Sequence, residues 1–67
     1  MTQAQRAFQA GRARELRRKM KKTHVLHNVR TGFSYFLGSK LEGEALKEFT
    51  PGFRLLTIGT FIKNMEA

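Results

Sequence analysis

The chain has no cysteine, no aspartate and no tryptophan, a single proline, and only five acidic residues among 67. Each shortage removes a class of protein. Without cysteine there are neither disulfides nor thiolate zinc ligands to staple a small core. With acids limited to Glu15, Glu42, Glu44, Glu48 and Glu66, paired carboxylates for general acid–base work are scarce. Glu42, Glu44 and Glu48 interleave with Lys40 and Lys47 and read as a solvated helix face. His24 and His27 have no third ligand type nearby, so no metal site is expected. The six glycines are scattered singly and match no nucleotide-binding loop. No enzyme and no cofactor is expected. No apolar run approaches the ~20 residues of a membrane span, and the Met1 end lacks the apolar stretch of a secretory signal. The expected location is the cytoplasm of a bacterium or of a virus-infected host cell.

What the chain has in abundance is positive charge in one place. Residues 1–22 hold eight basic side chains against one acid, and residues 23–67 hold five against four, so the first segment carries +7 and the second +1. A block of this density suits a polyanion, because each Lys or Arg set against a phosphate releases condensed counterions. The apolar residues concentrate after Thr23. The division predicts a basic helical arm at 1–22 and a small folded domain at 23–67. A chain this short buries only about 60% of the surface it exposes when unfolded, so the core is expected to be marginal.

Residues 3–22 are nearly all strong helix formers apart from Gly11. Ala4, Phe8, Leu16 and Met20 give a thin apolar seam on that helix. Repulsion among the surrounding cations is expected to fray its C-terminal half until a polyanion arrives. The segment 23–37 is rich in β-branched and aromatic residues, and Thr31-Gly32 offers a turn, which predicts a hairpin. A three-residue loop Arg30-Thr31-Gly32 would pair Val29 with Phe33, His27 with Tyr35 and Val25 with Leu37. A helix competes, since Val25, Leu26, Val29, Phe33, Phe36 and Leu37 also fit helical spacing.

Ser39-Lys40-Leu41-Glu42 matches a capping box. It predicts a helix from Lys40 with Leu41, Ala45, Leu46 and Phe49 on one face, ending near Thr50 because Pro51 follows. Thr50-Pro51 can then open another helix carrying Leu55, Ile58, Ile62 and Met65, although the β-branched run 57–62 also suits a third strand. The fold class expected is α+β: a basic N-terminal helix, a β-hairpin and two C-terminal helices. The alternative is an all-α protein of three or four helices.

Two resemblances follow from these residues. Gln5-Arg6-Ala7-Phe8 with Arg12, Arg14, Arg17 and Arg18 resembles the arginine-rich peptides of phage antitermination proteins, which implies a helix lying in a nucleic-acid groove. Asn28-Val29-Arg30-Thr31-Gly32, Phe33-Ser34-Tyr35-Phe36, Ser39 and Ala45-Leu46-Lys47-Glu48-Phe49 resemble the modular DNA-binding repeats of homing endonucleases. That likeness implies a hairpin followed by a helix-turn-helix. Here the spacing from Ser39 to Ala45 is about two residues longer than in that pattern.

The function expected is that of a small non-enzymatic DNA- or RNA-binding protein, such as a phage or plasmid-type regulator. Its candidate phosphate contacts are Arg6, Arg12, Arg14, Arg17, Arg18, Lys19, Lys21 and Lys22, extended by Arg30 and Arg54. The aromatic residues Phe33, Tyr35, Phe36, Phe49, Phe53 and Phe61 are more than 45 residues easily bury, which points to a protein partner or a homodimer. An interaction or inhibitor protein that binds an acidic surface of a host enzyme or nucleoprotein complex is therefore the alternative. A ribosome-associated protein is another.

Overall fold

A computed structural model describes all 67 residues. Its elements in chain order are α1 (Gln3–Met20), β1 (His24–His27), β2 (Ser34–Leu37), α2 (Lys40–Lys47), β3 (Arg54–Thr57) and α3 (Ile58–Glu66). The fold is α+β, as the residue pattern predicts, with three helices around a three-stranded antiparallel sheet. The sheet order is β2-β1-β3, so the strand formed first in sequence lies in the centre.

Strand alternation sends the two faces of the sheet to different helices. Val25, Phe36 and Leu56 lie side by side across the three strands and pack with Ala10, Ala13, Ile58, Phe61 and Ile62 of α1 and α3. Phe61 is the hub of this layer. It is fully buried and meets the rings of Phe36 and His27 edge-on, with centroids 5.8 Å and 5.3 Å away. The other face presents Leu26, Leu37 and Leu55 to α2, whose Gly43 sits directly against Leu37 and Leu55. Residues 1–22 and 23–67 thus share one core.

α1 docks through a different stripe from the one its hydropathy suggests. Ala10 and Ala13 are its buried residues, while Phe8 is 67% exposed and Met20 62%. Small side chains let α1 approach α3 closely, a contact no hydropathy pattern displays. The helix opens with a capping box: the Thr2 hydroxyl accepts from the Gln5 amide (3.1 Å), and the Gln5 side chain accepts from the Thr2 amide (2.8 Å). It runs unbroken to Met20 and is closed by Lys21 in the left-handed region (φ 54), whose amide returns to the Leu16 carbonyl. Three basic residues in the last turn complement the negative end of the helix dipole, which offsets the mutual repulsion expected to fray it.

The hairpin forms with its register shifted by one residue. His27 pairs with Ser34, Leu26 with Tyr35 and Val25 with Phe36, instead of the Val25–Leu37 and His27–Tyr35 pairs predicted. The cause is a four-residue loop, Val29 to Gly32. The Asn28 amide donates to the Phe33 carbonyl (2.9 Å) and the Gly32 amide to the Asn28 carbonyl (2.8 Å). The Asn28 side-chain oxygen also accepts from the amides of Arg30 (2.9 Å) and Thr31 (3.2 Å). Gly32 takes the left-handed conformation (φ 79) that the turn demands.

The second C-terminal helix does not begin at Thr50-Pro51. The Thr50 hydroxyl donates to the Leu46 and Lys47 carbonyls and finishes α2, Gly52 turns the chain (φ 87), and β3 follows. Thr57 then caps α3, its hydroxyl accepting from the Thr60 amide (3.3 Å). A strand therefore stands between α2 and α3, and the two helices do not form a helix-turn-helix. At the start of α2 the Ser39 hydroxyl accepts from the Glu42 amide (3.1 Å), but Glu42 returns no bond. Gly43 docks α2 on the sheet, which turns Leu41 (77% exposed) and Phe49 (80% exposed) outward instead of into the core. No helix is long and apolar enough to cross a membrane.

Candidate nucleic-acid interface

The ten cations singled out from the sequence fall into four groups. Arg6 and Arg14 are engaged within the fold. The Arg6 guanidinium donates to the main-chain oxygens of Asn64 (2.6 Å) and Ala67 (3.2 Å), where it satisfies carbonyls at the C-terminal end of α3. Arg14 pairs with the Glu66 carboxylate. Both tie α1 to α3 across the molecular surface. Their acceptors stand more than 50 residues away in the sequence, which no local pattern shows.

The second group lies in the last two turns of α1 and just beyond it: Arg17, Arg18, Lys19, Lys21 and Lys22. Lys19 pairs with Glu15 one turn earlier (2.7 Å). The hydrogen bond and then the charge of Lys19 hold the Glu15 carboxyl below its ordinary value and raise the Lys19 ammonium in return. Arg17, Arg18, Lys21 and Lys22 have no carboxylate partner. Four unpaired cations within six residues form the densest positive surface of the molecule.

Arg12 stands alone, its guanidinium over the Phe36 ring at 5.7 Å. There it shields the one core aromatic that β2 leaves half-covered, and its charge stays in solvent. Arg30 and Arg54 occupy the hairpin end of the molecule. Arg30 projects from the loop fixed by Asn28, and Arg54 pairs across the sheet with His27. An α-helix rises about 1.5 Å per residue, so the hairpin end and the Arg17–Lys22 end are separated by most of the length of α1.

Sequence reasoning missed the side of α1 that faces the hairpin. Met1, Gln5, Phe8 and Gln9 line a cleft of about 260 Å³ against Val29, Arg30, Thr31 and Gly32, with the Met1 side chain resting on Gly32. Only the curl of the four-residue loop brings these segments together, and no spacing within either one signals it. No three of the histidines and glutamates gather in one place. His24 and His27 fall on opposite faces of β1. His27 is buried and bonded to the Ser34 hydroxyl (2.8 Å), while His24 is bonded to the Thr23 hydroxyl (2.8 Å). Burial lowers the His27 imidazole from its ordinary value, partly offset by a hydrogen bond with the Phe33 main chain.

In comparison with known proteins, no family model, curated protein or solved structure matches this chain.

Proposed function

We propose that this chain is a small non-enzymatic nucleic-acid-binding protein that engages phosphates with the C-terminal end of α1. The observation that carries this reading is the cluster Arg17, Arg18, Lys21 and Lys22, which the fold leaves without acidic partners at the end of a capped and docked helix. Arg12, Arg30 and Arg54 extend the positive surface toward the hairpin. No general acid, nucleophile or metal is needed for such a role. Phosphate contact by five to seven of these cations gives log K a slope of roughly −4 to −6 against log salt on duplex DNA. Fluorescence anisotropy of labelled oligonucleotides across a salt series measures it. Binding that does not respond to salt would remove the proposal.

A protein partner is a second reading, favoured by a separate observation. Leu41, Ala45 and Phe49 run down the outer side of α2, with Leu41 and Phe49 more than three-quarters exposed, on the sheet face opposite α1. Exposed apolar surface of this kind marks interaction sites. Pulldown with and without nuclease separates the readings: a directly bound protein survives digestion, and one bridged by nucleic acid is lost.

A further inference from the structure

We infer that the cleft between α1 and the hairpin loop receives an unpaired nucleobase, stacked on Phe8, with Arg30 placed for an adjacent phosphate. The inference rests on the reading of the chain as a nucleic-acid-binding protein and specifies what that surface selects.

Phe8 has no part in holding the fold together. It is the single aromatic residue of α1, it is 67% exposed, and the docking of the helix is carried by Ala10 and Ala13. An exposed ring in a positive groove is what a base needs on one side, because every base has a π-face to stack. Gln5 and Gln9 line the same cleft. The Oε1 of Gln9 is buried and has no hydrogen-bond partner, an exception to the rule that buried polar atoms are satisfied. Turning that carboxamide toward a base edge costs the fold no existing bond. The side chain of Gln5 is fixed by the Thr2 amide through its oxygen, which leaves its NH₂ as a free donor at the same wall.

The charge of the cleft has one sign. Arg30 is the one charged side chain that lines it, Met1 stands beside it with the α-amino group, and no carboxylate borders it. The Asn28 side chain holds the loop that carries Arg30, and the guanidinium itself has no acceptor in the fold. Arg12 follows Phe8 by one turn along α1, about 6 Å, so a strand leaving the cleft passes a second cation on its way to Arg17, Arg18, Lys21 and Lys22. An aromatic platform, uncommitted amide groups and cations at both ends together suit single-stranded or looped nucleic acid better than a closed duplex, whose bases offer no free face.

The absence of tryptophan from the chain makes a direct test simple. Phe8→Trp places a unique fluorophore at the platform. Phe49→Trp places one on the far side of the molecule, at a residue 80% exposed. Each full-length variant is titrated with a single-stranded DNA, a single-stranded RNA and a fully paired duplex of equal length, with anisotropy of the labelled oligonucleotide recording binding. Stacking is expected to quench the indole of the Phe8→Trp variant, and not that of the Phe49→Trp variant, with at least one single strand. The duplex is expected to quench it less. Phe8→Ala is expected to weaken single-strand binding about tenfold and leave the salt slope unchanged. The DNA and RNA arms show which backbone is preferred. Binding with a steep salt slope but no selective quenching in the Phe8→Trp variant would overturn the base pocket and leave the phosphate reading standing. Absence of salt-dependent binding to any of the three would overturn both.

Discussion

His27 is the residue whose surroundings most directly set a measurable property. It lies in the central strand with 5% of its surface exposed, edge-on to Phe61 and bonded to Ser34. Burial disfavours its charged form and lowers its pKa from the ordinary 6.5. Above that value both folded and unfolded chains hold it neutral, and it adds no pH dependence. As pH falls below about 6.5, the unfolded chain takes up the proton before the folded chain does, so stability drops until the folded pKa is reached. Urea unfolding at pH 7.5 and 5.5 is expected to show a lower midpoint at pH 5.5, and His27→Gln is expected to flatten the difference. Equal midpoints for the unaltered protein would mean that the buried imidazole accepts its charge. Strand alternation puts residues three apart on opposite faces, so a strand here separates His24, which is half-buried, from His27. Which of the two is buried depends on α1 and α3 covering one face at the hairpin end, and the sequence carries no sign of that.

Glycine and alanine decide how the helices sit. A Cβ at Gly43 would come within 2.5 Å of a Leu55 methyl and 3.0 Å of a Leu37 methyl, so any side chain there must displace the leucines that α2 rests on. Gly43→Leu is expected to destabilise the fold by about 2–3 kcal/mol through overpacking, read as a fall in thermal midpoint. Unchanged stability would show that α2 can lift away freely. The same close approach explains why this part of the fold was only partly legible. Apolar periodicity marks Leu41, Ala45, Leu46 and Phe49 as the packing face of α2, whereas of these only Leu46 is half-buried and the closest contact is made by Gly43, which has no side chain. In α1 the large residues Phe8 and Met20 drew the seam, whereas Ala10 and Ala13 carry the packing. The helix spans of α1 and α2 were legible because Ser39 and Pro51 bound α2 and helix-forming residues fill α1. The hairpin was legible from Thr31-Gly32, and its register was not, since the Asn28 side chain sets the loop length. β3 was hidden because Thr50-Pro51 reads equally as a helix start and as a helix stop.

At the scale of the whole molecule the charges and the apolar surface are segregated. α1 lies on one face of the sheet with its unpaired cations at one end, and α2 with its C-cap Glu48 lies on the opposite face, carrying three of the five acids and bordered by the exposed Leu41 and Phe49. The candidate site was legible as charge density but not as geometry. The sequence located the basic segment, yet it did not separate Arg6 and Arg14, which fasten α3, from the cations left free. That separation is the centre of the account, and one comparison tests it most directly: the salt dependence of oligonucleotide binding by the intact protein and by a variant with Arg17, Arg18, Lys21 and Lys22 all replaced by glutamine. Each phosphate contact contributes about 0.9 to the magnitude of the slope on duplex DNA. The expected result is a slope between roughly −4 and −6 for the intact protein, reduced in magnitude by about 3 to 4 in the variant, with the fold retained by circular dichroism. An equal slope for the two proteins, or none for either, would contradict it.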